Sequence, residues 1–296
     1  MTRKIIFDSV FPLLIKMINN LAGRSRGGLP ILLQSMNIHF YKYQGTGNDF
    51  VIIDNRSWSL TSLTVDKVKF LCDRRFGIGA DGLMLLNPKT GYDFEMKYYN
   101  SDGRESSMCG NGGRCMVKFA YHLGIHRDKY HFLAVDGEHE AEIDGDMVNL
   151  KMNDVRGIIE YDNDYILNTG SPHYVKLVSD VMDYNVVDKG MEIRYSTAFA
   201  QEGINVNFIE PKKSDEIIVR TYERGVEDET LSCGTGVTAS ALVYHHNEVG
   251  YNDVTVITKG GRLAVRYNRV DDNTFTDIWL CGPAEKVFDG EVEIKP

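Results

Sequence analysis

The sequence predicts a mixed α/β protein assembled from two related halves. Three observations carry this prediction. A Cys-Gly-x-Gly segment occurs twice, as Cys109-Gly110-Asn111-Gly112 and Cys233-Gly234-Thr235-Gly236, and the copies stand roughly one domain length apart. Each copy lies where an extended, alternating segment gives way to a helix-forming run. The 296 residues are enough for about two domains with sizeable cores.

In the first half, Ile38–Tyr43, the turn Gly45-Thr46-Gly47 and Phe50–Ile53 read as strand, turn and strand. Thr64–Cys72 suits a short helix opened by a threonine cap. Leu83–Leu86 and Phe94–Tyr99 read as strands, with Asn100-Ser101-Asp102-Gly103 as a turn. After Cys109, the residues Met116, Val117, Ala120 and Leu123 recur at helical spacing until Gly124. Strands with Asp136-Gly137 and Asp144-Gly145 turns follow.

The second half repeats this syntax. Gly203–Ile209 echoes Gly47–Ile52, and Ile217–Tyr222 matches Phe94–Tyr99. Beyond Cys233 a helix of mostly small residues runs towards Gly250, then strands at Val254–Thr258, Leu263–Tyr267 and Phe275–Leu280. An internal duplication with a boundary near 150–160 is the economical account.

The composition is 43% hydrophobic and 25% charged, ordinary for a globular protein. A formal net charge of −9 argues against a nucleic-acid partner, which needs basic patches. Apolar runs are too short to span a membrane. Five cysteines without close regular spacing argue against a secreted disulfide framework and fit a cytoplasmic location. Residues 1–35 are basic and acid-poor and are expected to be a non-catalytic extension, with the folded protein beginning near Met36.

Cys72, Cys115 and Cys281 read as small buried hydrophobes. Cys109 and Cys233 differ, because each is poised at a helix N-terminus, where unpaired N–H groups favour thiolate. Two thiols presented from opposite sides suit removal of a proton from one face of a carbon and its return to the other. No C-x-x-C is present, and His122 with His126 lacks the glutamate of a zinc motif, so no metal site is expected. Gly77-Ile78-Gly79-Ala80-Asp81-Gly82 matches G-x-G-x-x-G in letters only, since a helix precedes it and a strand follows. It reads as a tight loop that brings Gly82 near a ligand. Asn48, Asn100, Asn205, Glu223 and Arg224 adjoin the thiol turns and suit a zwitterion, with arginine for a carboxylate and amides or carboxylate for an ammonium.

At these motifs the sequence resembles the diaminopimelate epimerase family. The likeness covers essentially Met36–Pro296 and rests on ordered segments. They are Gly45–Phe50, Arg75–Gly82, Tyr99–Gly103, Met108–Gly112, Gly170-Ser171-Pro172-His173, Asn205–Phe208, Tyr222–Gly225 and Ser232–Gly236. The resemblance implies two pseudo-symmetric domains, each a curved, mostly antiparallel sheet wrapped around a central helix. The first would comprise 36–154 with 283–296, and the second 155–282. It implies a homodimer that interconverts LL- and meso-diaminopimelate without pyridoxal phosphate or metal, on the route to lysine and peptidoglycan.

Carried over residue by residue, Cys109 and Cys233 are the acid/base pair, with His173 and Glu223 as their respective proton-tuning neighbours. Gly110-Asn111 and Gly234-Thr235 offer N–H groups to the substrate carboxylate. Asn48, Gly82, Asn100, Asn205, Glu223 and Arg224 complete the substrate site. Ser171 stands where the family often has asparagine, which puts the contact to the distal carboxylate in doubt. The nearest alternative is a proline racemase or hydroxyproline epimerase, which usually carries histidine where Asn111 stands. A non-catalytic amino-acid-binding protein is the alternative from another class.

Overall fold

The computed structural model describes residues 35–57, 60, 63–244 and 249–294 of the chain. The expected extension, residues 1–35, thus lies outside the described residues save for its last position. Ile38–Val292 form one unit; of the other, Met1–Asn37 with Glu293–Pro296, residues 35–37 and 293–294 are described.

Local chemistry sets the first half. β1 (Met36–Gly45) and β2 (Asn48–Asp54) form a hairpin in which Gly45 faces Asn48. Thr46 and Gly47 between them both have positive φ, 51° and 85°, the two-residue turn whose twist matches paired strands. The helix α1 (Val65–Cys72) opens on Thr64, whose side chain accepts the Lys67 N–H as expected of a cap. β3 (Gly82–Asn87), β4 (Phe94–Asn100) and β5 (Glu105–Ser106) lead to the helix α2 (Gly110–His122). The helix is terminated by Gly124 at φ 84°. β6 (Tyr130–Ala134), β7 (Gly137–Asp144) and β8 (Met147–Lys151) complete the half.

After the short strands β9 (Val155–Arg156) and β10 (Ile159–Tyr161), the second half begins with β11 (Asp164–Asn168) and β12 (Pro172–Leu177). The helix α3 (Val186–Arg194) precedes β13 (Asn205–Lys213), β14 (Glu216–Glu223) and β15 (Asp228–Thr230). The helix α4 (Gly234–Val243) follows, then β16 (Gly250–Thr258), β17 (Gly261–Asp271), β18 (Thr274–Pro283) and β19 (Glu285–Ile294).

The duplication is written in the pairing. In the first half β2 is parallel to β3, β3 antiparallel to β4, β4 parallel to β6, and β6–β7–β8 antiparallel. β12, β13, β14, β16, β17 and β18 repeat the same sequence of directions. β8 and β18 pair antiparallel, with Leu150 opposite Leu280, and β19 pairs with β1. This corrects one sequence reading: β13 is the counterpart of β3, so Asn205 corresponds to the Gly82 end of β3 and not to Asn48. The asparagine-rich letters misled, because turn residues recur wherever a strand starts. The last helix is also shorter than expected and ends at Val243.

Both central helices are buried by these strands. Every side chain of α2 from Gly110 to Val117 is buried, and α4 is buried on nearly all faces, as a helix without a polar face must be. Their N-termini meet. A Cβ added at Gly234 would lie 3.4 Å from Gly110 Cα, and one at Gly110 would lie 3.7 Å from Gly234 Cα. Fully buried Leu280 packs beneath both, with Cδ2 3.1 Å and 3.0 Å from the same two Cβ positions. Among the described residues no helix is long and apolar enough to cross a membrane.

Leu280→Ala is expected to cost about 3 kcal/mol in urea unfolding and to lower turnover by loosening the helix ends. A loss below about 1 kcal/mol would show that Leu280 does not brace them.

Candidate active site

One cavity of about 830 Å³ opens at the meeting point of α2 and α4, within the range of small-molecule sites. Cys109 and Cys233 both line it, each as the N-cap residue of its helix in extended backbone conformation. Gly110, Asn111, Gly234 and Thr235, the first-turn residues singled out in the sequence, line it too. So do Asn48 and Asn100 from the first half and Ser171, Asn205, Glu223 and Arg224 from the second. Two expected residues do not: Gly82 and His173 are absent from the lining.

Burial pushes the Cys109 thiol up, with nearby Glu223 adding to it, while the Gly112 and Asn111 N–H groups and the Arg114 charge pull against it. Burial also pushes the Cys233 thiol up, with nearby Glu223 and Cys109 adding to it and Thr235 and the Gly236 N–H opposing. Neither sulfur closes a full capping hydrogen bond to the backbone. Cys109 Sγ donates instead to Asn48 Oδ1 at 3.6 Å, and Cys233 Sγ lies 3.5 Å from Thr235 Oγ1. Glu223, in the cavity wall, is shifted up by burial, while Thr230 and Cys233 facing it pull the other way.

The amides are aimed by neighbours that the sequence reading left unassigned. Asp81, at the end of the Gly-Ile-Gly-Ala-Asp loop, accepts from Asn48 Nδ2 at 2.6 Å, which turns Asn48 Oδ1 towards Cys109. Asp81 is itself held by Arg74 at 2.7 Å, and Arg74 forms a two-pronged pair with Asp49 at 2.6 and 2.9 Å. Asn111 donates to Ser232 O at 2.9 Å, tying the first turn of α2 to the residue before Cys233.

On the other side, Asn205 Nδ2 donates to Ser171 Oγ at 2.9 Å, and Asn205 Oδ1 accepts the Arg224 N–H at 2.9 Å. Arg224 Nη2 donates to Ser171 Oγ at 3.3 Å and Nη1 to Glu202 O at 3.0 Å. Its guanidinium makes no carboxylate pair among the described residues, so it is open to an anionic ligand.

Gly82 and His173 stand outside the lining. A Cβ at Gly82 would lie 2.5 Å from the Tyr98 ring. The glycine therefore makes room for Tyr98, and it is Tyr98 that reaches the cavity. His173 is fully buried behind the wall. Asn207 Nδ2 meets its Nδ1 at 3.0 Å. The amide orientation is settled because Nδ2 also donates to Tyr174 O at 3.1 Å while Oδ1 accepts from Thr221 at 2.9 Å. His173 Nδ1 is thus the acceptor and its proton sits on Nε2. That Nε2 is buried with no partner. Burial, followed by the Arg224 charge, pushes the ring down to about 3, so it is neutral. Asn207 also presses on α4: a Cβ at Gly236 would sit 2.3 Å from its Oδ1. None of these partners carried a sequence signal, since each depends on strand register.

Among the described residues no group of three or more His, Cys, Asp or Glu stands together as a metal site.

The family model for diaminopimelate epimerase matches residues 40–157 and again 165–287, one match in each half. Diaminopimelate epimerase of Flavobacterium psychrophilum is 49% identical over 84% of this chain and 98% of its own length. Those of Chlorobaculum tepidum and Aquifex aeolicus are 42% and 39% identical, over 84% and 86% of this chain and 99% and 98% of their own lengths. Among solved structures, a phenazine biosynthesis protein of the PhzF family from Bacillus anthracis superposes with a TM-score of 0.70 at 14% identity, covering 88% of this chain and 100% of that one. A hydroxyproline epimerase from Agrobacterium vitis superposes with a TM-score of 0.61 at 12% identity, over 88% and 93%. Those two share the fold alone. The matched sequence, the repeated strand directions and the paired cysteine caps agree, and the chain belongs to the diaminopimelate epimerase family.

Proposed function

We propose that Cys109 and Cys233 are the base and acid through which this chain, an isomerase with diaminopimelate epimerase activity in lysine biosynthesis, inverts one α-carbon of diaminopimelate. The observation that carries the reading is that both thiols cap helices whose N-termini meet in one cavity.

The α-hydrogen of an amino acid is far less acidic than a thiol, so the site must stabilise the charge left on the carbon and its carboxylate. Gly110-Asn111 and Gly234-Thr235 supply opposed N–H groups and two helix dipoles where that charge develops. One sulfur, as thiolate, takes the proton from one face while the other, as thiol, returns a proton to the opposite face. The roles exchange in the reverse direction. Glu223 beside Cys233 buffers that proton, and neutral His173 offers an Nε2–H donor from behind the wall.

The distal amino-acid end is held by Arg224, Asn205 and Ser171. Ser171 Oγ already accepts from both neighbours, so its own O–H is free to donate to a carboxylate, which replaces the asparagine contact of the family. Asn48 and Asn100 approach from the other half. A substrate with two amino-acid ends fits this better than proline, whose single carboxylate leaves Arg224 unused. The two halves, 36–154 with 283–296 and 155–282, close on the substrate as separate bodies. The active form is a cytoplasmic homodimer.

Cys109→Ala and Cys233→Ala are each expected to lower epimerisation at least about a thousandfold, measured as interconversion of LL- and meso-diaminopimelate. Proline in a parallel racemisation assay is expected to stay unchanged. Near-normal interconversion in either variant would remove the paired-thiol reading.

A second outcome concerns His173. Nitrogen NMR is expected to show a neutral ring protonated on Nε2 between about pH 5 and 8. The unfolded chain binds a proton as pH falls through about 6.5 while the folded ring refuses it, so this ring makes stability fall as pH drops from there towards 3. A ring that titrates near 6.5 in the folded protein would contradict its placement.

A further inference from the structure

Arg114 lies in the first turns of α2 and is the largest fully buried side chain in the described structure. Its Nη2 donates to Asn111 Oδ1 at 3.0 Å and to Thr46 Oγ1 at 3.2 Å, and its Nη1 to Gly110 O at 3.3 Å. Nε is buried with no partner. A glycine makes room for it: a Cβ at Gly282 would lie 3.0 Å from Nε. The ionisable groups near enough to act on it are three thiols, Cys115 on its own helix, Cys109 at the cap and Cys281 on β18. Among the described residues no carboxylate pairs with it.

A guanidinium stays charged in proteins, and a buried charge without a counter-charge costs several kcal/mol. A purely structural pin between Thr46 and Asn111 needs hydrogen bonds, which an uncharged amide supplies more cheaply. The charge is explained by an anion that is present only during the reaction. Cys115 and Cys281 are buried away from the cavity and are held as thiols by burial. Cys109 faces the cavity and is the sulfur that must ionise there.

We propose that Arg114 is a positioning residue for the proton transfer, its buried guanidinium acting as the standing counter-ion of the Cys109 thiolate while fixing the Asn111 carboxamide against it. This rests on the paired-thiol reading. The thiol proton passes between Cys109 and the substrate carbon and never to Arg114, which contributes charge alone. Charge lost at residue 114 raises the cost of the thiolate, whereas a change in hydrogen bonding alone leaves that cost unchanged.

The test is the rate of iodoacetamide alkylation of Cys109 as a function of pH, read on the Cys109 peptide by mass spectrometry in the full-length protein. Arg114→Met is expected to move the ionisation of Cys109 up by at least about one pH unit and the acid limb of kcat/KM with it. The alkylation curve of Arg114→Met superposing on the unaltered protein's overturns the proposal, whatever happens to kcat. Where Arg114→Met does not fold, Arg114→Gln carries the test, because its amide keeps hydrogen bonding at the site without the charge. Its Cys109 curve is then displaced upward, and a superposable curve overturns the proposal equally. If Cys109→Ala keeps full epimerisation, the paired-thiol reading itself has failed; if only the Arg114 curves are unmoved, that reading survives and the counter-ion does not.

Discussion

Two helix N-termini meet at Gly110 and Gly234, and most of this architecture follows from that contact. Each end carries about half a positive charge and unpaired N–H groups, so facing them in a dry interior is unfavourable until an anion lies between. Glycine at both positions lets the ends approach, because a methyl group on either would crowd Leu280 and fill the gap to the opposing backbone. The strands of both halves then serve to hold the ends in place, through β8 and β18 pairing at Leu150 and Leu280 and through Asn111 reaching Ser232. A site built this way suits a carboxylate, and Cys109 and Cys233 both line it.

Much of this was legible in the amino-acid order. The repeated Cys-Gly-x-Gly segments marked both helix starts, Thr64 marked the cap of α1, and Gly124 the end of α2. These are local signals, settled within a turn of chain. What was illegible depends on register and distance. The kinship of β13 with β3 shows only in strand pairing. Asp81, Tyr98 and Asn207 act on residues more than ten positions away, through contacts that no spacing rule encodes. His173 was found by its motif, but its environment was not: its Nδ1 meets Asn207, and the ring stands outside the cavity lining.

The site thus has two layers with different chemistry. Cavity-facing groups are amides, hydroxyls and thiols, with Arg74, Asp81, Asp102, Glu223, Arg224 and Glu229 among them. Around and behind them run hydrogen-bonded networks: Arg74 with Asp49 and Asp81, Thr221 with Asn207 and His173, and Arg114 with Asn111 and Thr46. Preorganisation of this kind is what lets fixed dipoles stabilise a developing charge without rearranging. It also explains the tolerance for Ser171, whose hydroxyl keeps Arg224 and Asn205 aligned despite its shorter reach.

The most direct examination of the central idea is a crystal structure of the chain with meso-diaminopimelate bound. The account requires one α-carbon about 3–4 Å from both sulfurs, which approach it from opposite faces, with its carboxylate on the first-turn amides of α2 and α4. A ligand whose α-carbon meets only one sulfur, or whose carboxylate lies away from those amides, would contradict it.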